Sequence, residues 1–192
     1  YDSNTIEKIG IPACVLMERA ALAAADALCR CLQDRADAGG RAAGCRSKGR
    51  DSGRGRAGDS RKKRGGPGCV LVMAGMGNNG GDGLAAARIL LERGWQVEVW
   101  CVGNREKASA QWRQQRQILE SYPVEFTDAP RRTEYRAAVD ALFGVGLSRE
   151  VEGAYGEAVD IFNGLEGFKL ALDLPSGIDS DTGRVWGRAV RA

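Results

Sequence analysis

Short apolar segments alternate with segments of helical periodicity over residues 69–172, and this alternation constrains the fold more than any other feature of the chain. The apolar segments are residues 69–74, 97–102, 124–126, 138–143 and 169–172, and the helical ones are 83–93, 108–121 and 156–165. Parallel strands need a crossover between them, and a helix of this length supplies it. The sequence therefore predicts an α/β protein with a doubly wound, mostly parallel sheet and helices on both faces.

A different composition precedes this region. Residues 13–32 carry apolar side chains at helical spacing and predict an amphipathic helix. Residues 35–66 consist almost wholly of Gly, Arg, Lys, Ala, Ser and Asp, and a segment without large apolar side chains cannot offset its ordering entropy. We expect one domain over residues 1–192, truncated at both ends, with a disordered basic insertion at 35–66.

The insertion also determines the overall charge. Residues 35–67 contain 11 Lys or Arg and 3 Asp, a net of +8, whereas the whole chain has 28 basic and 25 acidic residues, a net of +3. The residues outside 35–67 are therefore acidic, with a net charge of −5. Arg-Gly runs resemble RNA-binding tails, but this segment has no aromatic side chain to stack on a base, so nucleic acid is not the expected partner.

The chain has six cysteines and no histidine. Without histidine, Ser-His-Asp and Cys-His nucleophilic machinery is excluded within these residues, and a zinc site is disfavoured. Cys69 and Cys101 lie in apolar strands, where a small buried thiol is favoured over a disulfide. The cysteine pattern predicts a reducing, cytoplasmic setting, and the absence of an apolar run of membrane-spanning length predicts no membrane segment.

The first predicted strand runs directly into a Gly-x-Gly-x-x-Gly motif at residues 75–80, followed by Gly81, Asp82 and Gly83. Such a loop brings backbone amide groups close to a phosphate at a helix N-terminus. An ordinary dinucleotide site also has an acidic residue at the end of the second strand, but here that end reads Trp-Cys-Val-Gly over residues 100–103. The missing acid argues against a dehydrogenase.

Two other strand ends carry aspartates. Asp140 lies within an apolar strand, and Asp173 precedes Pro175, Ser176 and Gly177. A buried carboxylate must be paired, hydrogen-bonded or bound to a cation, so Asp140 is either a structural cap or a cation ligand. Together the strand ends offer oxygen donors without nitrogen or sulfur, a set that suits K⁺, Na⁺ or Mg²⁺.

These motifs, in this order, resemble the NAD(P)H-hydrate epimerase family. The resemblance rests on residues 10–12 (Gly-Ile-Pro), 16–21, 75–83, 140–147 and 173–177, and it covers nearly the whole chain outside the insertion. It implies a Rossmann-like fold and interconversion of the R and S forms of NADHX and NADPHX, the hydrated nicotinamide cofactors. It also implies one K⁺ per subunit, held by Asn79, Asp140 and Ser176.

The same resemblance implies contacts to the dinucleotide from the glycine loop, from the turn after the fourth strand and from the fifth strand end. The expected contact residues are Asn78, Asn79, Gly80, Gly81, Asp82, Gly144, Val145, Gly146, Leu147, Ser148, Arg149, Glu150 and Asp173. A homodimer and a fused ADP- or ATP-dependent dehydratase are further expectations. The alternatives are a nucleotide-binding scaffold, or an RNA-associated protein, on the same fold without turnover.

Inversion of a hemiaminal carbon needs a proton shuttle and stabilisation of developing charge. Asp173 is the candidate catalytic residue for either role, and Lys107 is a second candidate. Lys107 can equally be an ordinary surface lysine.

Overall fold

The structure, a computed structural model, describes residues 5–43 and 68–192. It contains a five-stranded sheet in the order β3-β2-β1-β4-β5, in which every pair is parallel. The strands are β1 (Cys69–Ala74), β2 (Gln96–Cys101), β3 (Glu125–Thr127), β4 (Glu134–Ala141) and β5 (Glu166–Ala171). The helices are α1 (Ala13–Ala43), α2 (Asn78–Glu92), α3 (Ala110–Leu119) and α4 (Gly153–Gly164). The predicted α/β class and parallel sheet are confirmed.

Helices cover both faces of the sheet, as predicted. Val70 and Val72 of β1 belong to a core with side chains of α1, α2 and α3, whereas Leu71 and Met73 belong to a second core with α4. Side chains alternate between the two faces of a strand, so a strand buried on both faces is apolar throughout. This is why residues 69–74 form an unbroken apolar run.

Two element boundaries differ from the sequence prediction in ways that matter for the site. Helix α2 begins at Asn78 rather than at residue 83, so most of the glycine motif is helical. Glycine is a poor helix former, and tertiary packing overrides that preference here. A Cβ on Gly83 would lie 2.5 Å from Ala141 Cβ, so glycine is what allows α2 to lie this close to the sheet.

The first long helix extends further than predicted. Leu32 is buried, and α1 continues from there to Ala43, with exposed side chains over residues 33–37. Alanine and arginine are good helix formers, and Arg35 also lies over the Phe168 ring at 5.2 Å from its centroid. The insertion predicted at 35–66 thus begins within α1, and its remaining residues, 44–66, lie outside the described ranges. Within those ranges, no helix combines the length and apolarity needed to cross a membrane.

The strand order defines where a ligand can bind. The chain proceeds from β1 through β2 to β3 on one side, and then returns to place β4 on the other side of β1. In open α/β sheets, ligands bind beyond the carboxyl ends of the strands at such a switch point. The backbone is tight there, because Gly75 N donates a 3.0 Å hydrogen bond to Ala141 O and a Cβ on Gly75 would overlap the Leu142 carbonyl.

Candidate functional site

A cavity of about 990 Å³ opens at this edge of the sheet. The turn after β1 leads directly into α2, whose N-cap is Gly77, and no side chain caps that helix terminus among the described residues. The first amide groups of a helix lack partners within the helix and attract anionic groups. Gly77 lines the cavity, and a Cβ at that position would meet nothing within 4 Å. The geometry thus leaves room for an anionic ligand at the start of α2.

Asp140, near the end of β4, lies completely buried beside the cavity. Its carboxylate accepts hydrogen bonds from Ser176 N (2.7 Å), Ser176 Oγ (2.6 Å) and Leu142 N (3.1 Å). Burial raises the pKa of Asp140, and the hydrogen bonds from Ser176 and Leu142 oppose that rise. The carboxylate therefore fixes the turns after β4 and β5 against each other.

The Phe143 backbone links this pair to the glycine loop. Phe143 N donates to Ser176 Oγ (2.8 Å), and Phe143 O lies 2.8 Å from Asn79 Nδ2 and 3.2 Å from Ser176 Oγ. The three side chains predicted to hold a cation are therefore brought close together, because Asn79 and Ser176 both bond to Phe143 O and Ser176 bonds to Asp140. Carboxylate, hydroxyl, carboxamide and carbonyl oxygens are donors that suit a hard cation.

No group of three or more Asp, Glu, His or Cys side chains that could hold a metal is found within residues 5–43 and 68–192. A cation at this edge of the sheet would therefore depend on the mixed oxygen set just described.

Asp173 follows β5 by two residues, lines the cavity and is exposed. Its Oδ2 accepts a 2.9 Å hydrogen bond from Val145 N. A Cβ on Gly144 would lie 2.5 Å from that same oxygen, so only glycine at 144 lets the carboxylate approach the turn this closely. The carboxylate is consequently anchored on one side while it stays open to the cavity.

Ten of the thirteen expected dinucleotide contacts line the cavity, and so does Lys107, from a 3₁₀ turn at Arg105–Lys107. The ten are Asn78, Asn79, Asp82, Gly144, Val145, Gly146, Leu147, Ser148, Arg149 and Asp173.

The other three expected contacts, Gly80, Gly81 and Glu150, do not line the cavity, and their contact with a dinucleotide stays a prediction. Gly80 and Gly81 are buried inside the first turn of α2, and a Cβ on Gly81 would lie 3.0 Å from Met17 Cε. Glu150 is exposed and lies 3.6 Å from the Arg184 guanidinium. The missing side chains of these two glycines allow the close packing at the start of α2.

Sequence reasoning missed several lining residues. Ala20 and Ala24 lie one helical turn apart on α1, and their small side chains leave the cavity wide. The helical spacing of these two alanines was visible in the sequence, and Ala20 already belonged to the 16–21 motif of the resemblance. No motif or periodicity in the sequence indicated Tyr155, because this residue lies immediately before the helix predicted at residues 156–165.

Comparison with known proteins finds a matching family model and similar curated proteins. The family model described as YjeF-related protein N-terminus matches residues 13–192. A protein named NAD(P)H-hydrate epimerase from Limosilactobacillus reuteri is 39% identical over all of this chain and 76% of its own length. A protein of the same name from Oenococcus oeni is also 39% identical, over all of this chain and 77% of its own length.

One solved structure supports the fold. The crystal structure of yeast ynu0 (YNL200c) superposes with a TM-score of 0.70, covering 98% of this chain and 72% of the yeast chain at 24% sequence identity. At that identity the likeness concerns the fold alone, and it agrees with the parallel α/β sheet.

Proposed function

The chain belongs to the NAD(P)H-hydrate epimerase family, and from this membership we propose that it epimerises NADHX and NADPHX in the cavity at the switch point. The observation that carries the proposal is the position of Asp173, which is anchored by Val145 N and open to the cavity. The activity is that of an isomerase in the repair of hydrated nicotinamide cofactors. The ten lining residues named above are the proposed dinucleotide contacts.

The reaction inverts a hemiaminal carbon, which carries a hydroxyl group beside the ring nitrogen. Inversion is redox-neutral and can follow two routes. In one, hydroxide leaves to give an iminium-like cation and water adds to the other face; in the other, the ring opens and recloses. Both routes require a proton to move and developing charge to be stabilised, and that charge is positive in the iminium route.

We assign the proton shuttle or the stabilisation of positive charge to Asp173. Its fixed orientation supports this role, because a catalytic group that is already oriented loses little entropy in the transition state. Lys107 lines the same cavity and is a second candidate for the proton transfer. Asp82, the fifth residue of α2, also lines the cavity.

The test is R-to-S conversion of NADHX, followed by chromatography against the spontaneous rate. Asp173→Asn keeps the side-chain shape but removes the charge and the exchangeable proton, so we expect turnover to fall by roughly 10²-fold or more. Affinity for the dinucleotide should change much less. Asp181→Asn is the matched control, because Asp181 is exposed and lies outside the cavity lining.

Three outcomes separate the epimerase function, the role of Asp173 and the RNA-associated alternative. A parent protein that does not exceed the spontaneous rate would contradict the epimerase function and favour a nucleotide-binding scaffold. An active parent with an equally active Asp173→Asn variant would contradict only the role of Asp173. Binding of RNA that disappears on removal of residues 44–67 and weakens steeply with salt would instead support the RNA-associated alternative.

We further propose one K⁺ per subunit, held by Asn79, Asp140 and Ser176. The oxygen chemistry of these side chains and of Phe143 O supports the assignment. When bound, the ion would supply a fixed positive charge beside the cavity. The protein side chains hold the turns after β1, β4 and β5 together at this place.

The cation proposal is tested by thermal denaturation in KCl and in tetramethylammonium chloride at equal ionic strength. An ion that binds only the native state stabilises it by mass action, so we expect a higher Tm in KCl. Asp140→Asn should remove the difference. An equal response to both salts in the parent would leave Asp140 as a structural cap.

Three broader proposals accompany this function. A homodimer is expected and can be tested by light scattering. A cytoplasmic setting is supported by the five free cysteines in the described residues. An ADP- or ATP-dependent dehydratase, fused or separate, is needed chemically, because epimerisation only equilibrates two hydrated forms. Addition of such a dehydratase should convert both epimers completely only when this protein is active.

A further inference from the structure

Tyr155 is an aromatic side chain of the cavity that lies outside every motif discussed above. It is the third residue of α4 and is half-buried. Its ring packs against that of Phe143, with the centroids 5.2 Å apart and the planes inclined by 55°. The two rings hold each other in place, so Tyr155 has a defined position on the cavity wall.

The Tyr155 hydroxyl reaches the end of β2. A Cβ on Gly103, two residues after β2, would lie 2.6 Å from Tyr155 Oη and 3.1 Å from Met76 Cγ. Gly103 also has a φ of +117°, which side chains other than glycine rarely adopt. Glycine at position 103 therefore provides the space that the hydroxyl occupies.

The structure gives the Tyr155 hydroxyl no hydrogen-bond partner within the ranges that it describes, although other half-buried polar groups of the site are paired. A tyrosine hydroxyl usually finds a hydrogen-bond partner when it becomes buried, as it would beneath a bound molecule. Because this one lines the cavity, a bound molecule can supply that partner.

Its position indicates which part of a dinucleotide it meets. The strand order β3-β2-β1-β4-β5 matches that of dinucleotide-binding sheets, in which an acidic residue at the end of the second strand bonds the adenosine ribose. Here that end lacks an acid, and the Tyr155 hydroxyl lies against it. Asp173 follows β5, three strand spacings from β2, which is about 14 Å.

We propose that Tyr155 binds the ribose of the adenosine half through its hydroxyl, in the place where related sites use a carboxylate. This inference rests on the proposed function, in which the hydrated nicotinamide ring lies beside Asp173. A carboxylate at this position repels a 2′-phosphate, whereas a neutral hydroxyl does not. The arrangement therefore admits both NADHX and NADPHX.

The test compares Tyr155→Phe with Tyr122→Phe, a control that removes an exposed hydroxyl bonded to Glu92 outside the cavity. Loss of one hydrogen bond should raise the KM for NADHX about 3- to 10-fold in Tyr155→Phe, with kcat and Tm nearly unchanged. Affinity for ADP-ribose, which lacks nicotinamide, should fall by a similar factor. Affinity for nicotinamide mononucleotide should not change, and the control should match the parent.

The parent should also turn over NADHX and NADPHX with kcat/KM values within about tenfold of each other, since neither substrate is repelled. An unchanged KM and ADP-ribose affinity in Tyr155→Phe would overturn the proposal, and so would weaker binding of nicotinamide mononucleotide alone. If the parent did not turn over NADPHX, the claim that the neutral hydroxyl admits a 2′-phosphate would be wrong. ADP-ribose binding is measured without turnover, so an inactive parent would contradict the proposed function separately.

Discussion

Gly83→Ala should destabilise the protein, because this glycine sets the distance between α2 and the sheet. The new Cβ would lie 2.5 Å from Ala141 Cβ and 3.3 Å from Val72 Cγ1. Carbon atoms in good contact are about 3.5–4.0 Å apart, so the distance to Ala141 is too short by about 1.0–1.5 Å. An alanine Cβ cannot move by rotating a side-chain bond, so the helix or the strand must shift.

Overpacking of this kind costs about 1–3 kcal/mol, and the size of the shortfall places Gly83→Ala at the upper end. Alanine recovers up to about 1 kcal/mol through its greater helix propensity. The expected net loss is about 2 kcal/mol. For a protein of this size, that lowers Tm by roughly 4–8 °C.

The assay is thermal denaturation followed by circular dichroism, with Gly164→Ala as the control. Gly164 ends α4, is exposed, and a Cβ there would meet nothing within 4 Å. The control should keep the parent Tm or exceed it slightly. If Gly83→Ala were as stable as Gly164→Ala, close packing of α2 against β4 would not be the reason for glycine at position 83.

Two further predictions concern regions outside the cavity. Glu98 is buried and accepts hydrogen bonds from Arg131 N, Arg132 Nη1 and Tyr135 Oη. Glu98→Ala should therefore lower the free energy of unfolding, measured by urea titration, by about 3 kcal/mol. Glu98→Gln should lower it less, because the amide keeps an acceptor. Equal losses for the two variants would show that loss of the negative charge, and not loss of the acceptor atoms, accounts for the effect. Hydrogen bonds from Thr182 and Trp186 lower the pKa of Asp179 from 3.8 to about 2. Its stabilising contribution is thus present above pH 3.8 and is lost as the pH falls toward 2, so the stability of Asp179→Asn should depend less on pH over that interval. An unchanged pH dependence would show that other carboxylates control the acid transition.

The relation between sequence and fold is clearest in β1 and β4. The apolar runs that contain Val72 and Val139 predicted buried parallel strands, because a strand covered on both faces has no polar side. The same pattern could not fix the strand ends. Leu142 and Phe143 were predicted as strand residues, yet they lie in the turn that carries the site, since hydrophobicity does not distinguish the last strand residue from a buried turn.

The glycine motif shows a second limit. The sequence predicted a loop over residues 75–82 and a helix after it, whereas α2 already begins at Asn78. Local propensity disfavours a helix with Gly80 and Gly81 in its first turn. Close packing against Gly75 and Met17 overrides that propensity, and only the folded chain contains those contacts.

The sequence by itself determined which chemistry is available: oxygen donors at three strand ends, no histidine, and a glycine motif between a strand and a helix. The tertiary structure alone decided which of those groups meet, and it added Tyr155, which no motif contains. A motif is a property of neighbours along the chain, whereas the contact between Tyr155 and Gly103 joins residues 52 positions apart. Such contacts depend on the crossing of α4 over the sheet, so they arise only when the whole domain folds.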